Sequence, residues 1–316
     1  MTMPLVAVPS SSFASFLGVP VCTDLDALDA EIAILGIPYG VPYGTKDIVT
    51  ASSAAPAAIR AQSNRWGDTM EHYDFDLGGT LLDGRAVRIV DCGDVPGDPL
   101  DIPGNVARAT AAVQAILARR ALPIVLGGDD AIPIPVFRAY KDHGPIFMVQ
   151  IDAHIDWRHD IDGVTEGYSS TMRRASEMPW IGGIVQIGMR SLGSARSPEV
   201  RDALAYGATL ITARDVQAQG AEVALRQIPD GGSYFITIDG DALDPSVMPG
   251  VNAPTPGGLS LHQVTDIVRG VVRKGRVVGC NIVELAPDRD LNGISALTAC
   301  SIIRNLIGEM VRSGYW

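Results

Sequence analysis

The sequence predicts an α/β fold: a parallel sheet of about eight strands with helices on both faces. Three observations carry this. Short apolar runs alternate along the whole chain with amphipathic or small-residue stretches of helical period. No linker, repeat or low-complexity segment interrupts the alternation, so residues 1–316 read as one domain. Acidic residues gather where apolar runs end, and in such sheets ligands bind at the C-terminal strand edge. A (β/α)8 barrel would also bring these residues to one face.

Residues 1–28 lack periodicity, and Ser10, Ser11, Ser12 and several prolines mark an N-terminal arm that packs on the body or on a neighbouring subunit. The first strand is 32–37, followed by a turn-rich loop over 38–44. Residues 52–61 form a small-residue helix with Pro56 near its start and Arg60 near its end. A strand at 87–92 leads to a helix at 104–120, whose Val106, Ala109, Val113, Ile116 and Leu117 share a face. A strand at 123–126 empties into Gly127-Gly128-Asp129-Asp130, and 133–141 is helical. The apolar strand 146–151 is followed by Asp152, His154 and Asp156. Residues 158–175 are too long and too charged for a simple connector and read as a functional loop. Next come a helix at 171–178, a strand at 184–187, a helix at 197–205 and a strand at 208–211. The strand at 233–239 ends in Asp239 and Asp241, before a Pro/Gly-rich loop over 249–258. Helix 261–274 has the clearest stripe, with Val264, Ile267, Val268, Val271 and Val272 on one face. The last strand, 276–283, delivers Glu284, and a helix spans 294–312.

The run Asp152-Ala153-His154-Ile155-Asp156 holds the chemistry. Alternate side chains of an extended chain share a face, so two carboxylates and an imidazole can converge on one divalent cation. Alone, this pattern reads equally well as a polar loop after a strand. Asp239-Gly240-Asp241 repeats the design on a second strand end. Neighbouring carboxylates repel unless cations neutralise them, and a site for two metals is the economical explanation.

The formal net charge of -11 argues against nucleic acid or anionic membrane as partner. Hydrophobic content of 47% and charged content of 19% mark an ordered globular chain. The four cysteines are widely spaced without a CxxC, as expected of reduced thiols in the cytoplasm. The N-terminus has no basic region before its short apolar run, and no run of about 20 apolar residues suggests a membrane span.

Taken in order, these residues resemble the ureohydrolase family of arginase, agmatinase and guanidinobutyrase, in its agmatinase-like branch. The resemblance runs through Gly36-Ile37-Pro38-Tyr39, Ala55-Pro56-Ala57-Ala58-Ile59-Arg60, Asp76-Leu77-Gly78-Gly79, Gly127-Gly128-Asp129, Asp152-Ala153-His154-Ile155-Asp156, Asp239-Gly240-Asp241-Ala242-Leu243-Asp244-Pro245 and Glu284. It implies a three-layer α/β/α sandwich rather than a barrel. It also implies two divalent metal ions per chain, Mn2+ first with Ni2+ as the alternative. The implied reaction is cleavage of a guanidino compound to urea and an amine by a hydroxide bridging the metals, in a trimer or hexamer. By carry-over, Asp152 and Asp239 bridge both metals, Asp130 and Asp156 hold one, and His154 and Asp241 hold the other. Glu284 accepts hydrogen bonds from the substrate guanidinium, whose paired donors suit a carboxylate.

Two positions depart from the family pattern. Asp130 stands where the family has a metal-binding His. With Asp152, Asp156, Asp239 and Asp241 it makes five carboxylate ligands against four metal charges, which predicts an alkaline pH optimum or an altered metal choice. Glu166-Gly167 stands where the family has His-Gly. Glu166 is expected to relay protons or to bind a cationic group, against the plainer reading of a solvated acid. His159 is a weaker alternative shuttle, and His72, His143 and His262 fall outside the motifs. Asp160, Asp162 and Glu166 favour a cationic substrate tail, as in agmatine, although Arg158 lies near them. The losses at Asp130 and Glu166 also suit an inactive relative serving as a structural or regulatory subunit. A third reading is an amide hydrolase of deacetylase type.

Overall fold

A computed structural model of the protein describes residues 3–10, 13–44, 48–65 and 69–316. Its strands are β1 (Ile32–Ile37), β2 (Ile89–Asp94), β3 (Leu122–Gly127), β4 (Ile146–Ile151), β5 (Ile181–Met189), β6 (Thr209–Thr212), β7 (Ser233–Asp239) and β8 (Arg276–Val283). They form one sheet in the order β2-β1-β3-β8-β7-β4-β5-β6, with every pairing parallel. The sheet is open, with β2 and β6 at its edges, which rules out the barrel.

The helices are α1 (Ala55–Ser63), α2 (Ile102–Ala118), α3 (Pro133–Arg138), α4 (Thr171–Ser176), α5 (Ser197–Tyr206), α6 (Ala213–Gln219), α7 (Glu222–Leu225), α8 (Leu261–Lys274) and α9 (Ile294–Arg312). Successive strand residues point to opposite faces. Ile34, Leu126, Ile151 and Ile236 therefore pack with Ile59 of α1, Val268 of α8 and Ile303 of α9. Leu35, Val125, Met148 and Phe235 pack with Val113 of α2, Phe137 of α3 and Met172 of α4 on the other side. The result is three layers around two apolar cores. In α8, Ser260 and Gln263 close a reciprocal capping box, and the expected stripe from Val264 to Val272 is buried. Each such side chain contributes about 1.5–3 kcal/mol by leaving water. The 19 residues of α9 are long and apolar enough to cross a bilayer, but 78% of that stretch is buried here, so its apolarity serves the core.

The N-terminal segment lies along β2, where Ala7 and Asp94 exchange backbone hydrogen bonds at 2.8 Å. The buried Arg60 guanidinium binds Asp91 at 2.8 and 2.9 Å and Asp94 at 2.5 Å, and Asp91 also accepts the Phe16 N–H. This joins the arm, α1 and β2. Ser11 and Ser12 of the expected arm lie outside the described residues. Helix boundaries differ from the sequence reading where caps decide them. Asp101 caps Gly104 at 2.9 Å and starts α2 at Ile102, while Pro56 in its first turn starts α1 at Ala55 rather than 52. The pair α6 and α7 was not expected, although Thr212 and Asp215 form a capping box at the start of α6.

The sheet order matters most for function. The four strands that carry the acidic motifs, β3, β8, β7 and β4, are four consecutive central strands. Their C-terminal ends therefore lie side by side despite wide separation in sequence.

Candidate metal centre

Three of these strands end in the same turn. Asp129, Asp152 and Asp239 each accept on Oδ1 the backbone N–H two residues ahead, from Ala131 (3.0 Å), His154 (2.6 Å) and Asp241 (2.8 Å). Asp suits this turn because its short carboxylate reaches its own backbone. The fourth strand contributes Glu284, whose φ of 65° lies in the left-handed region. Its backbone N–H donates to Gly128 O (2.9 Å), while its Oε1 accepts from the Asp130 N–H (2.8 Å) and its Oε2 from Asn252 Nδ2 (2.5 Å). Asp156 is also left-handed, with φ of 44°, and its carbonyl accepts the N–H groups of Met172 and Arg173 at the start of α4. Such conformations cost on the order of 1–3 kcal/mol outside glycine and cluster at functional sites. Gly40 leaves the space Asp129 occupies, since a Cβ there would sit 1.8 Å from Asp129 Oδ2.

The turns bring ligand-type atoms together. Asp152, His154 and Asp241 offer atoms all within 4.8 Å of one another, as do Asp130, Asp152 and Asp239. Asp152 belongs to both groups. Asp156 belongs to neither but joins Asp152 through the amide of Gln150, at 2.9 and 2.6 Å. Asp129, Asp130, Asp152, Asp156, Asp239, Asp241 and Glu284 are all buried, none more than 7% exposed. Taking each charge out of water costs several kcal/mol unless it is compensated. The imidazole is the cationic partner within reach: His154 Nδ1 lies 3.2 Å from Asp241 and 3.5 Å from Asp152. No Lys or Arg side chain pairs with these seven acids among the described residues.

The electrostatics follow from that imbalance. Burial, then neighbouring carboxylates, pushes Asp129, Asp130, Asp156 and Asp239 well above the usual carboxylate range. Burial raises Asp241 despite its bond to His154, and raises Glu284 to about 7 despite its bonds from Asn252 and the Asp130 N–H. Burial acts upward on Asp152 too, but its hydrogen bonds and the charge of His154 leave it lowered. For His154 burial acts downward, and Asp152 and Asp241 outweigh it, lifting the imidazole to about 11. Asp129 Oδ2 and Asp130 Oδ2 are buried without any hydrogen-bond partner. Stranded acceptors among crowded acids call for cations, and an oxygen-rich set with one imidazole fits Mn2+ or a similar divalent ion.

A cavity of about 530 Å³ opens over this cluster. Asp129, His154, Asp156, Asp241 and Glu284 line it, with Thr50, Ala51, Tyr168, Ser169, Asn252, Ala253 and Arg289 among the other lining residues.

Residues 30–308 match the model of the arginase family. The chain belongs to the arginase family. It is 29% identical to the guanidinobutyrase of Pseudomonas aeruginosa over 290 residues, covering 90% of this chain and 87% of that one. It is 30% identical to the mitochondrial agmatinase of Gallus gallus over 304 residues, covering 94% and 84%. Its fold matches the structure of proclavaminate amidino hydrolase from Streptomyces clavuligerus with a TM-score of 0.83 at 24% identity, covering 98% of this chain and 100% of that one. The arginase-family enzymes are metal-dependent ureohydrolases, and this chain is an amidinohydrolase of that kind.

Within the arginase fold, Asp130, Asp152, His154, Asp156, Asp239, Asp241 and Glu284 come together from four strand ends. Glu166 does not join them. Its carboxylate is bound by the Arg138 guanidinium, with Arg138 Nη1 donating at 3.0 Å and Nη2 donating to its other oxygen. Both residues line a separate apolar groove between α2 and the 163–166 segment. His159, Asp160 and Asp162 do not line the cavity over the acids. The 158–175 loop reaches it through Tyr168 and Ser169 instead. Among the residues at the site that escaped the sequence reading are Gln150, Gln186, Asn252 and Arg289. The readable signal for the first two was a polar residue in the middle of an otherwise apolar strand. Asn252 sits in a loop and Arg289 ends a single 3-10 turn (Pro287–Arg289), neither with such a contrast.

Proposed function

We propose that this chain hydrolyses a guanidino compound to urea and an amine, using two divalent metal ions, with Mn2+ preferred. One observation carries the reading: four adjacent strand ends pool seven buried carboxylates and an imidazole beneath an open cavity. Asp130, Asp152, Asp156 and Asp239, with His154 and Asp241, would hold the metals. Bound there, divalent cations would lower the pKa of water and so supply the nucleophile.

The protein's own part is orientation. Both Glu284 oxygens already hold one donor each, which fixes the carboxylate plane and leaves further lone pairs for a guanidinium. Burial raises Glu284 to about 7, so a guanidinium bound against it would favour its ionised form. Tyr168, whose ring packs edge-on against Tyr43 at 4.5 Å, walls one side of the cavity. The reading extends to a cytoplasmic homo-oligomer, a trimer or hexamer, and the four free thiols suit a reducing compartment.

Elemental analysis of protein purified without chelator tests the metal part, followed by a urea-release screen over guanidino compounds. Close to two metal ions per chain with urea release supports the proposal. One ion or none after reconstitution with Mn2+ and Ni2+ would replace it with the non-catalytic subunit.

A further inference from the structure

We infer that Arg289 is a carboxylate anchor at the mouth of the cavity, so that the preferred substrate is a guanidino acid rather than a guanidino amine. The inference rests on the guanidino-hydrolase reading above and concerns the far end of the same substrate.

The cavity is chemically polarised. Its floor is anionic and suits a guanidinium. Its walls include the apolar surfaces of Ala51, Ala253 and Tyr168, which suit a short methylene chain. Arg289 is also part of the lining, and it is exposed. Its Nη1 donates to the backbone oxygen of Asn252 at 3.0 Å. No acid pairs with it among the described residues. A guanidinium has five N–H donors, so one bond to a neutral carbonyl leaves most of the fork free for a planar carboxylate.

Spacing connects the two ends. Asn252 donates its side-chain amide to Glu284 Oε2 and accepts Arg289 on its backbone oxygen. Glu284 and Arg289 are thus separated by one residue along a continuous hydrogen-bonded line. A substrate whose guanidinium meets Glu284 has its tail directed along Asn252 toward a cation. An ammonium tail would meet like charge there. The acids that would have received it are elsewhere, since Arg138 binds Glu166 while Asp160 and Asp162 stay outside the lining.

The test compares urea release by the Mn2+-loaded enzyme from 4-guanidinobutanoate and from agmatine, two compounds of similar length and opposite tail charge. The wild-type enzyme should have the higher kcat/KM for the acid. Arg289→Gln should raise KM for the acid roughly tenfold to a hundredfold, the worth of a charge-assisted bond, while kcat changes little. Arg289→Glu should reverse the preference. Metal content of both variants should match wild type, which separates a lost anchor from a damaged centre. Faster turnover of agmatine by wild type, or an unchanged KM for the acid in Arg289→Gln, would overturn the inference and leave the hydrolase reading intact. Urea from neither compound but from another guanidino compound in the screen would overturn this inference alone, and urea from none of them would overturn the hydrolase reading and this inference with it.

Discussion

Gln150 and Gln186 face each other in register on β4 and β5, and Gln186 Nε2 donates to Gln150 Oε1 at 2.5 Å. The pair belongs to a polar row one layer beneath the acids. Gln150 is also in register with Thr237 on β7, and Thr237 with Asn281 on β8, whose amide donates to the Thr237 hydroxyl at 2.9 Å. All four are buried. Gln186 takes its orientation from the Ile155 carbonyl (2.8 Å), Gln150 takes its own from Gln186, and the Gln150 amide then holds both Asp152 and Asp156. Groups behind metal ligands typically change metal affinity 10- to 100-fold when removed. Gln150→Leu, close in volume, should therefore weaken Mn2+ binding roughly tenfold or more by titration calorimetry. Gln186→Leu should weaken it less, because the Gln150 amide keeps its two carboxylates. Wild-type affinity in Gln150→Leu would show that the amide does not set the geometry of the acids.

The Arg138–Glu166 pair leads to a different expectation. About a third of each side chain is exposed, so the pair is screened, and its loss should cost at most about 1 kcal/mol. Glu166→Gln should leave the pH profile of kcat/KM in place and lower the urea midpoint slightly. A displaced profile would return Glu166 to the role of proton relay.

The contrast between these two cases marks how far the sequence was legible. Apolar runs announce strands, and an Asp at the end of each announces a turn that only a short acid makes well. Those are local properties, so the eight strands and the D-x-H-x-D and D-x-D turns could be read directly. Which strands become neighbours is not local. The order β3-β8-β7-β4, which unites Asp130, Glu284, Asp239 and Asp152, could be read neither from periodicity nor from the motifs and is seen only in the folded sheet. Side-chain direction in loops is harder still. Glu166 shares its loop with Arg158, yet its partner is Arg138 on α3, which nothing in the spacing reveals. Arg289 follows closely on Glu284 in the chain, but its place on the cavity depends on Asn252 from another loop.

Asp130 adds a negative charge where the family has a neutral imidazole. It is buried, one of its oxygens is unpartnered, and its N–H anchors Glu284. On the proposed reading, extra negative charge would make ionisation of the attacking water harder. The acid limb of the kcat/KM profile should therefore lie in the alkaline range, and Asp130→His should move it down by roughly one pH unit. The backbone bond to Glu284 survives the substitution, so KM for the guanidino substrate should change little. A wild-type profile that is already flat at neutral pH would contradict the charge argument.

Metal removal should invert the usual effect of pH on stability. A carboxyl whose pKa is higher in the folded protein holds its proton more tightly there. Its contribution is full below the unfolded pKa and is lost as pH rises through the folded one. Asp129, Asp130, Asp156 and Asp239 are all raised, and Glu284 moves from 4.5 to about 7, worth about 3 kcal/mol by itself. His154, raised to about 11, has the same sign, with its contribution full below about 6.5 and declining above it. Asp152 is lowered and acts oppositely, but only as pH falls below about 4. Chelator-treated protein should therefore melt at progressively lower temperature from pH 5 to pH 8. Saturating Mn2+ should reverse the trend, because cations bind the ionised acids and stabilise the folded state by mass action. Thermal melts with and without Mn2+ at each pH measure both slopes. A metal-free melting temperature that rises across this range would mean that the acids are not held in the crowded, buried arrangement described for them.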